Sequence, residues 1–225
     1  MLNKEEIKSL FEKKQYSEVL KGAKDTPYLL DYLGFLYLES GDYLSAEKFF
    51  AEQKMYYQQG LCMVLRGDKV SARKLWYSVP EDTAIAWGKV FLGIFEQKLE
   101  AIPTFLQVRN FLETTLNYLF RANQIDFAYK LIGAKEFFAD CNIESYKYIA
   151  RVMMDNNLEG LAYEYLQKAI DVIPQDYEAY FHLGELYVRQ NKIDLAIKAY
   201  KRVVEINSDH TPAFKILKKL EIDNK

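Results

Sequence analysis

The sequence has little of what covalent frameworks and reaction centres are built from. Only two of its 225 residues are cysteine, Cys62 and Cys141. A disulfide framework needs more of them at tighter spacing, so both are expected as buried thiols. Only two histidines occur, His182 and His210, with no cysteine or carboxylate at motif spacing from either. No GxxxxGK[ST], GxGxxG, CxxC or HExxH is present. No catalytic, cofactor or metal residues are therefore expected, and no enzyme activity. Apolar runs fall well short of the 18 residues a membrane helix needs. The opening MLNKEEIKSL lacks the apolar core of a signal peptide. Thirty Lys and Arg against 32 Asp and Glu leave no basic excess for nucleic acid or an anionic membrane surface. The expectation is a soluble cytoplasmic chain with neither kind of partner.

What is present is apolar, aromatic and repetitive. Half of the chain is hydrophobic, with 18 Tyr and 14 Phe, enough to bury a sizeable core. The stretch GDYLSAEKFF (41–50) returns as GDKVSARKLW (67–76), 26 residues on. Further along the spacing is 34: Ala128, Ala162 and Ala196 sit in IDFAYK, EGLAYE and IDLAIK. A period of this size marks a stacked array of repeats. The small alanine lets two antiparallel helices approach near their turn. Gly41 and Gly67 are expected to end one helix in the left-handed conformation, with Asp42 and Asp68 capping the next. The partner helices share a second signature, Leu-Gly followed by Tyr, in DYLGFLY (31–37) and FHLGELY (181–187). Gly60 and Gly88 stand in weaker copies. The 26-residue spacing predicts short helices near 44–65.

Together these residues resemble the tetratricopeptide repeat, a 34-residue helix pair. The pattern is clearest at 177–210 (Tyr180, Leu183, Gly184, Tyr187, Ala196, Tyr200), at 143–176 (Tyr146, Ala150, Ala162, Ala169, Pro174) and at 27–52 (Leu33, Gly34, Tyr37, Ala46, Phe50). The resemblance implies an all-α fold: a right-handed superhelical solenoid of antiparallel helix pairs, about six, as one domain over 1–225. Residues 211–222 are expected as a capping helix with Phe214, Leu217 and Leu220 facing back. Residues 5–24 are expected as a helix pair with Ile7, Leu10, Tyr16 and Val19 inward. The middle is degenerate, with a possible seam near 96–108 and a short helix starting at Pro103.

The same resemblance implies function. First helices of such pairs line a concave surface that binds a peptide segment of a partner protein. Alignment of the copies places Tyr28, Tyr32, Phe35, Tyr57, Phe120, Tyr148 and Phe181 there. Asp31, Asn117, Lys147, Arg151, His182, Glu185 and Arg189 stand beside them. Tyrosine and phenylalanine offer large contact area at low entropic cost. Tyr148 and Phe181 are the expected anchors, with Arg151 and Arg189 for a partner's carboxylates. The Lys and Asn clamp of chaperone-binding members is not built in either register, since Arg151 and Tyr148 stand where Asn is wanted. The expected role is a non-catalytic adaptor or scaffold. The alternatives are a substrate-holding domain of a modifying enzyme, such as a glycosyltransferase, or a secretion or assembly chaperone. Arg66-Gly67-Asp68 also spells an integrin-binding tripeptide, but Gly67-Asp68 matches Gly41-Asp42 and is read as a helix turn.

Overall fold

The structure is a computed structural model and describes residues 3–13, 15–23 and 32–223. Tyr28, Asp31 and the start of the 27–52 repeat lie outside the described residues. Among the described residues there are fifteen α-helices and no strand. In chain order they are α1 (Lys4–Glu12), α2 (Tyr16–Ala23), α3 (Leu33–Ser40), α4 (Tyr43–Glu52), α5 (Tyr56–Leu65), α6 (Lys69–Ser78), α7 (Thr83–Glu96) and α8 (Phe105–Arg121). Then follow α9 (Ile125–Ile132), α10 (Lys135–Cys141), α11 (Ser145–Asp155), α12 (Glu159–Val172), α13 (Tyr177–Arg189), α14 (Ile193–Ile206) and α15 (Thr211–Asp223).

The repeated ten residues are the turn and second helix of a pair. Gly41 and Gly67 take φ of +83° and +92°, a conformation that a Cβ disfavours. Asp42 then accepts the Ser45 amide and Asp68 the Ser71 amide, each capping the helix that follows. In later turns Asn123, Asn157 and Asn191 hold the left-handed position, with φ of 55–58°. Asparagine tolerates it better than other side chains. Helices α4, α5 and α6 have 10 residues each, against 14 in α12 and α14. The 26-residue copy is thus a pair with about one turn taken from each helix.

The chain divides into two compact units. Unit 1 comprises Met1–Gln107 and Thr114–Ala134; unit 2 comprises Val108–Glu113 and Lys135–Lys225. In unit 1, each helix from α1 to α7 packs on the next, the nearest-neighbour pattern of stacked repeats. Ile7 and Val19 are buried with Leu36, and Leu10 packs against them, as three positions of the expected inward face require; the Tyr16 side chain lies outside what the structure describes. Rings from second helices press on glycines of first helices. The Trp76 indole lies against both Gly60 and Gly88, and a Cβ on Gly88 would meet it at 2.9 Å. Helix α9 also packs on α7, where Phe95 and Phe127 meet with ring centroids 4.9 Å apart.

In unit 2, α10 to α15 stack in sequence, with α13 on α14 and α11 on α12 the most extensive pairs. Ala162 and Ala196 are fully buried at the close crossings. A Cβ on Gly184 would come within 2.8 Å of the Tyr200 ring, which repeats the glycine–ring contact of unit 1.

Two local expectations are corrected. Pro103 does not start a helix. It lies buried one residue before the cap, and Thr104 and Gln107 form a reciprocal capping box that starts α8 at Phe105. From there α8 runs unbroken for 17 residues, in place of a short helix followed by another. In α15 the inward face is Ala213, Ile216, Leu217 and Leu220, at positions i, i+3, i+4 and i+7. Phe214 is 55% exposed, because the buried stripe begins at Ala213, one residue earlier.

Candidate functional site

Unit 1 brings its predicted first-helix residues together, and it covers them. Tyr57 is 3% exposed, and its hydroxyl lies 2.8 Å from Thr115 Oγ1 on α8. Trp87 of α7 donates its indole N–H to the same oxygen at 3.0 Å. Phe35 of α3 stacks on Tyr118 of α8, with centroids 5.6 Å apart. Arg121 Nη1 lies 3.2 Å from Glu39 Oε1 at the end of α3. The second half of α8 therefore crosses three consecutive first helices. Thr115 is its contact to α5 and α7, and Tyr118 and Arg121 are its contacts to α3. Burial raises the Tyr57 hydroxyl pKa, against the bonds from Thr115 and Trp87, and keeps it a neutral core group.

This corrects the expectation for Tyr57 and Phe120 as partner-facing aromatics. Phe120 is 5% exposed and packs edge-on to Tyr129. Asn117 and Phe35 are half-buried, and among the described residues of the unit 1 set Tyr32, at 59% exposed, is the open one. The signal was present in α5 and α7. Gly60–Leu65 is buried on every side of its helix, as is most of α7. A helix that is apolar all round is covered on both faces.

Unit 2 presents a different face. Lys147 is not a surface cation: at 3% exposure its ammonium reaches Asp176 at 2.9 Å, Glu178 at 2.7 Å and Glu144 at 3.4 Å. Burial alone would lower its pKa, but the bonds and charges of Glu178 and Asp176 outweigh that and raise it, so it stays protonated. Tyr148 is 6% exposed and donates to Glu144 Oε2 at 2.6 Å. Burial, reinforced by that carboxylate, pushes its hydroxyl up to about 12. Neither residue offers a partner much surface, and Tyr148 is no anchor.

Arg151 and Arg189 are exposed, and His182 and Glu185 are half-buried, as is Phe181, whose ring meets those of His182, Tyr200 and His210. Helices α11 and α13 touch directly, and Arg189 Nη1 donates to the Met154 carbonyl at 2.8 Å. Arg151 Nη2 lies 3.3 Å from Glu113 Oε1, a carboxyl whose pKa burial raises and Arg151 partly lowers. His182 Nδ1 lies 2.9 Å from Glu185 Oε2.

The helix pair α13–α14 carries the decisive match: residues 177–210 fit the family model of the tetratricopeptide repeat. Residues 177–210 are thus similar to a tetratricopeptide repeat. A TPR repeat-containing protein of Methanocaldococcus jannaschii is 36% identical over 80 residues, which is 36% of this chain and 24% of that protein. Protein bimA of Emericella nidulans is 23% identical over 199 residues, 85% of this chain and 22% of bimA. The chain thus spans about a quarter of the length of these curated relatives. Among solved structures, the APC/C hetero-tetramer Cut9–Hcn1 aligns with 96% of this chain and 48% of its own, at 14% identity and a TM-score of 0.38.

Among the described residues no group of three His, Cys, Asp or Glu could hold a metal ion. Cys62 is buried, with its thiol pushed up to about 12 by desolvation, and Cys141 is half-buried; both are free. No described helix is long and apolar enough to cross a membrane.

Proposed function

We propose that this protein is a non-catalytic interaction module whose open binding face lies on α11 and α13 of unit 2. The contact between these two first helices supports the reading, since Arg151 lies on one and His182, Glu185 and Arg189 follow one another at helical spacing on the other. A guanidinium has five N–H donors in a fixed fork. Arg189 commits Nη1 to the Met154 carbonyl, and Arg151 meets Glu113 through Nη2. Each retains donors for a carboxylate of a bound segment, and such charge-assisted pairs are strong and directional. Phe181 supplies the apolar floor. The partner that fits is an extended or helical protein segment with acidic and apolar side chains.

A photo-crosslinking residue at position 185, compared with one at the exposed position 198 on α14, tests this in the native cell. Cross-linking to one protein from position 185 and not from 198 is expected. With that partner isolated, Arg189→Glu and Arg151→Glu should each weaken it at least tenfold, the scale of desolvated Arg anchors. Cross-linking from position 198 alone would place binding on the second helices and end this reading.

A further inference from the structure

The second half of α8 meets unit 1 the way a bound peptide helix meets a repeat array. Three side chains at a spacing of three, Thr115, Tyr118 and Arg121, reach α5 and α7, then Phe35, then Glu39. These contacts are specific side-chain pairings to first helices. Chain order supports the comparison. Helix α9 packs on α7, as a second helix packs on its first, so α8 is an extra helix between them in sequence. It is preceded by residues 97–104, which carry no helix.

One atom shows that the fit is incomplete. Glu39 Oε2 is the only buried side-chain N or O without a hydrogen-bond partner among the described residues. Arg121 reaches Oε1 alone, and its side chain is 49% exposed. A guanidinium that arrived square to the carboxylate would satisfy both oxygens, the geometry arginine favours. The face is thus better matched to some other helix than to the one it holds.

We propose that α8 is an internal ligand: unit 1 carries a helix-binding face across α3, α5 and α7 that α8 keeps closed. The face takes an amphipathic helix with the pattern Thr-x-x-Tyr-x-x-Arg. Thr shares its hydroxyl between Tyr57 and Trp87, the aromatic lies on Phe35, and the cation meets Glu39. A partner segment with this pattern and a bidentate arginine displaces α8. The face and residues 114–121 of α8 belong to unit 1, while residues 108–113 of the same helix belong to unit 2; the reading of unit 2 rests on α11 and α13 and has its own test.

The probe is a fluorescent synthetic peptide of residues 105–121. The full chain should leave its anisotropy unchanged, because the face is occupied. The full chain with Thr115→Ala and Arg121→Glu together should bind it at least tenfold more tightly than the parent. A peptide carrying the same two changes should not bind. Hydrogen exchange in that variant should rise at 114–121 and stay at parental levels in α4 and α6. Tyr118→Ala, which removes only the stack on Phe35, is the milder second variant. Peptide binding with exchange confined to 114–121, in either variant, supports the proposal. Loss of protection across all of unit 1, unchanged protection at 114–121, or failure of both variants to fold or to bind the peptide overturns it. Each of those results makes α8 an ordinary core helix.

Discussion

Lys147 and Asp176 form a buried pair that joins two repeats. The ammonium lies 2.9 Å from Asp176 Oδ2, while Asp176 Oδ1 accepts the Glu178 and Ala179 amides and caps α13. One carboxylate therefore starts α13 and holds it to α11, the first helix of the preceding repeat. Lys147→Met should destabilise unit 2 by about 3–5 kcal/mol, the cost of stranding a buried charge. Adding Asp176→Asn, which keeps a competent cap, should recover much of that. Thermal melts of the two variants decide it, and a single variant that melts with the parent refutes the account.

Trp76 sits where two glycines make room for it, so neither glycine is replaceable. Gly60→Ala should cost about 1–3 kcal/mol, the range for overpacking a filled core. Trp76→Phe in the same chain should return part of it, since the smaller ring withdraws from the added methyl. Denaturant titration of the single and double variants measures the coupling. Equal and additive losses would mean that Gly60 and Trp76 do not contact.

Glu39 gives stability a pH dependence whose sign is set by burial. Desolvation raises its pKa, and Arg121 only partly lowers it again. The folded state then binds the proton more tightly than the unfolded chain, where the pKa is about 4.3. Stability must fall as pH rises from there through the raised value, and level off above it. Glu39→Gln should remove this part of the pH–Tm curve. Arg121→Gln should carry the fall to higher pH, because it removes the lowering charge. A curve that Glu39→Gln leaves unchanged would show that Glu39 titrates normally.

Both charged arms of Arg66-Gly67-Asp68 are in use within the fold. Arg66 lies 2.7 Å from Glu47, and Asp68 accepts the Ser71 amide, which lowers its pKa. Asp68→Ala should lower the Tm, and Asp68→Asn should not. Neither the parent nor either variant should support cation-dependent integrin adhesion. Adhesion of the parent that Asp68→Ala abolishes would reverse this.

The legible parts of this fold are those written in neighbouring residues. Gly41-Asp42 and Gly67-Asp68 announce a turn and a cap within two positions, and the short α4–α6 follow from a spacing that can be counted. The position of α8 could not be read that way. Tyr57 and Thr115 are 58 residues apart, and Trp87 and Thr115 are 28 apart. Nothing local to Thr115 says that two rings will share its hydroxyl. Alignment with a repeat pattern even pointed elsewhere, since it treated Phe120 as an open first-helix residue. Lys147 was misplaced for a similar reason: a lysine on a first helix reads as a surface cation until Asp176, 29 residues on, is known to meet it. For the open residues of unit 2 the periodicity gave their helix face, while exposure depended on packing that the pattern does not record.

The chain has two tryptophans, Trp76 and Trp87, both fully buried and both in unit 1. Indole emission is therefore a private signal of that unit, while far-ultraviolet dichroism sums the helices of both. If the units melt separately, the two optical traces will part, with no label introduced. Trp87 adds a finer reading, because its N–H is bonded to Thr115. Departure of α8 would leave that indole to water and shift its emission to the red while α4 and α6 stay folded. The helix that closes the face is thus wired to a native chromophore, and its release can be timed in a stopped-flow cuvette.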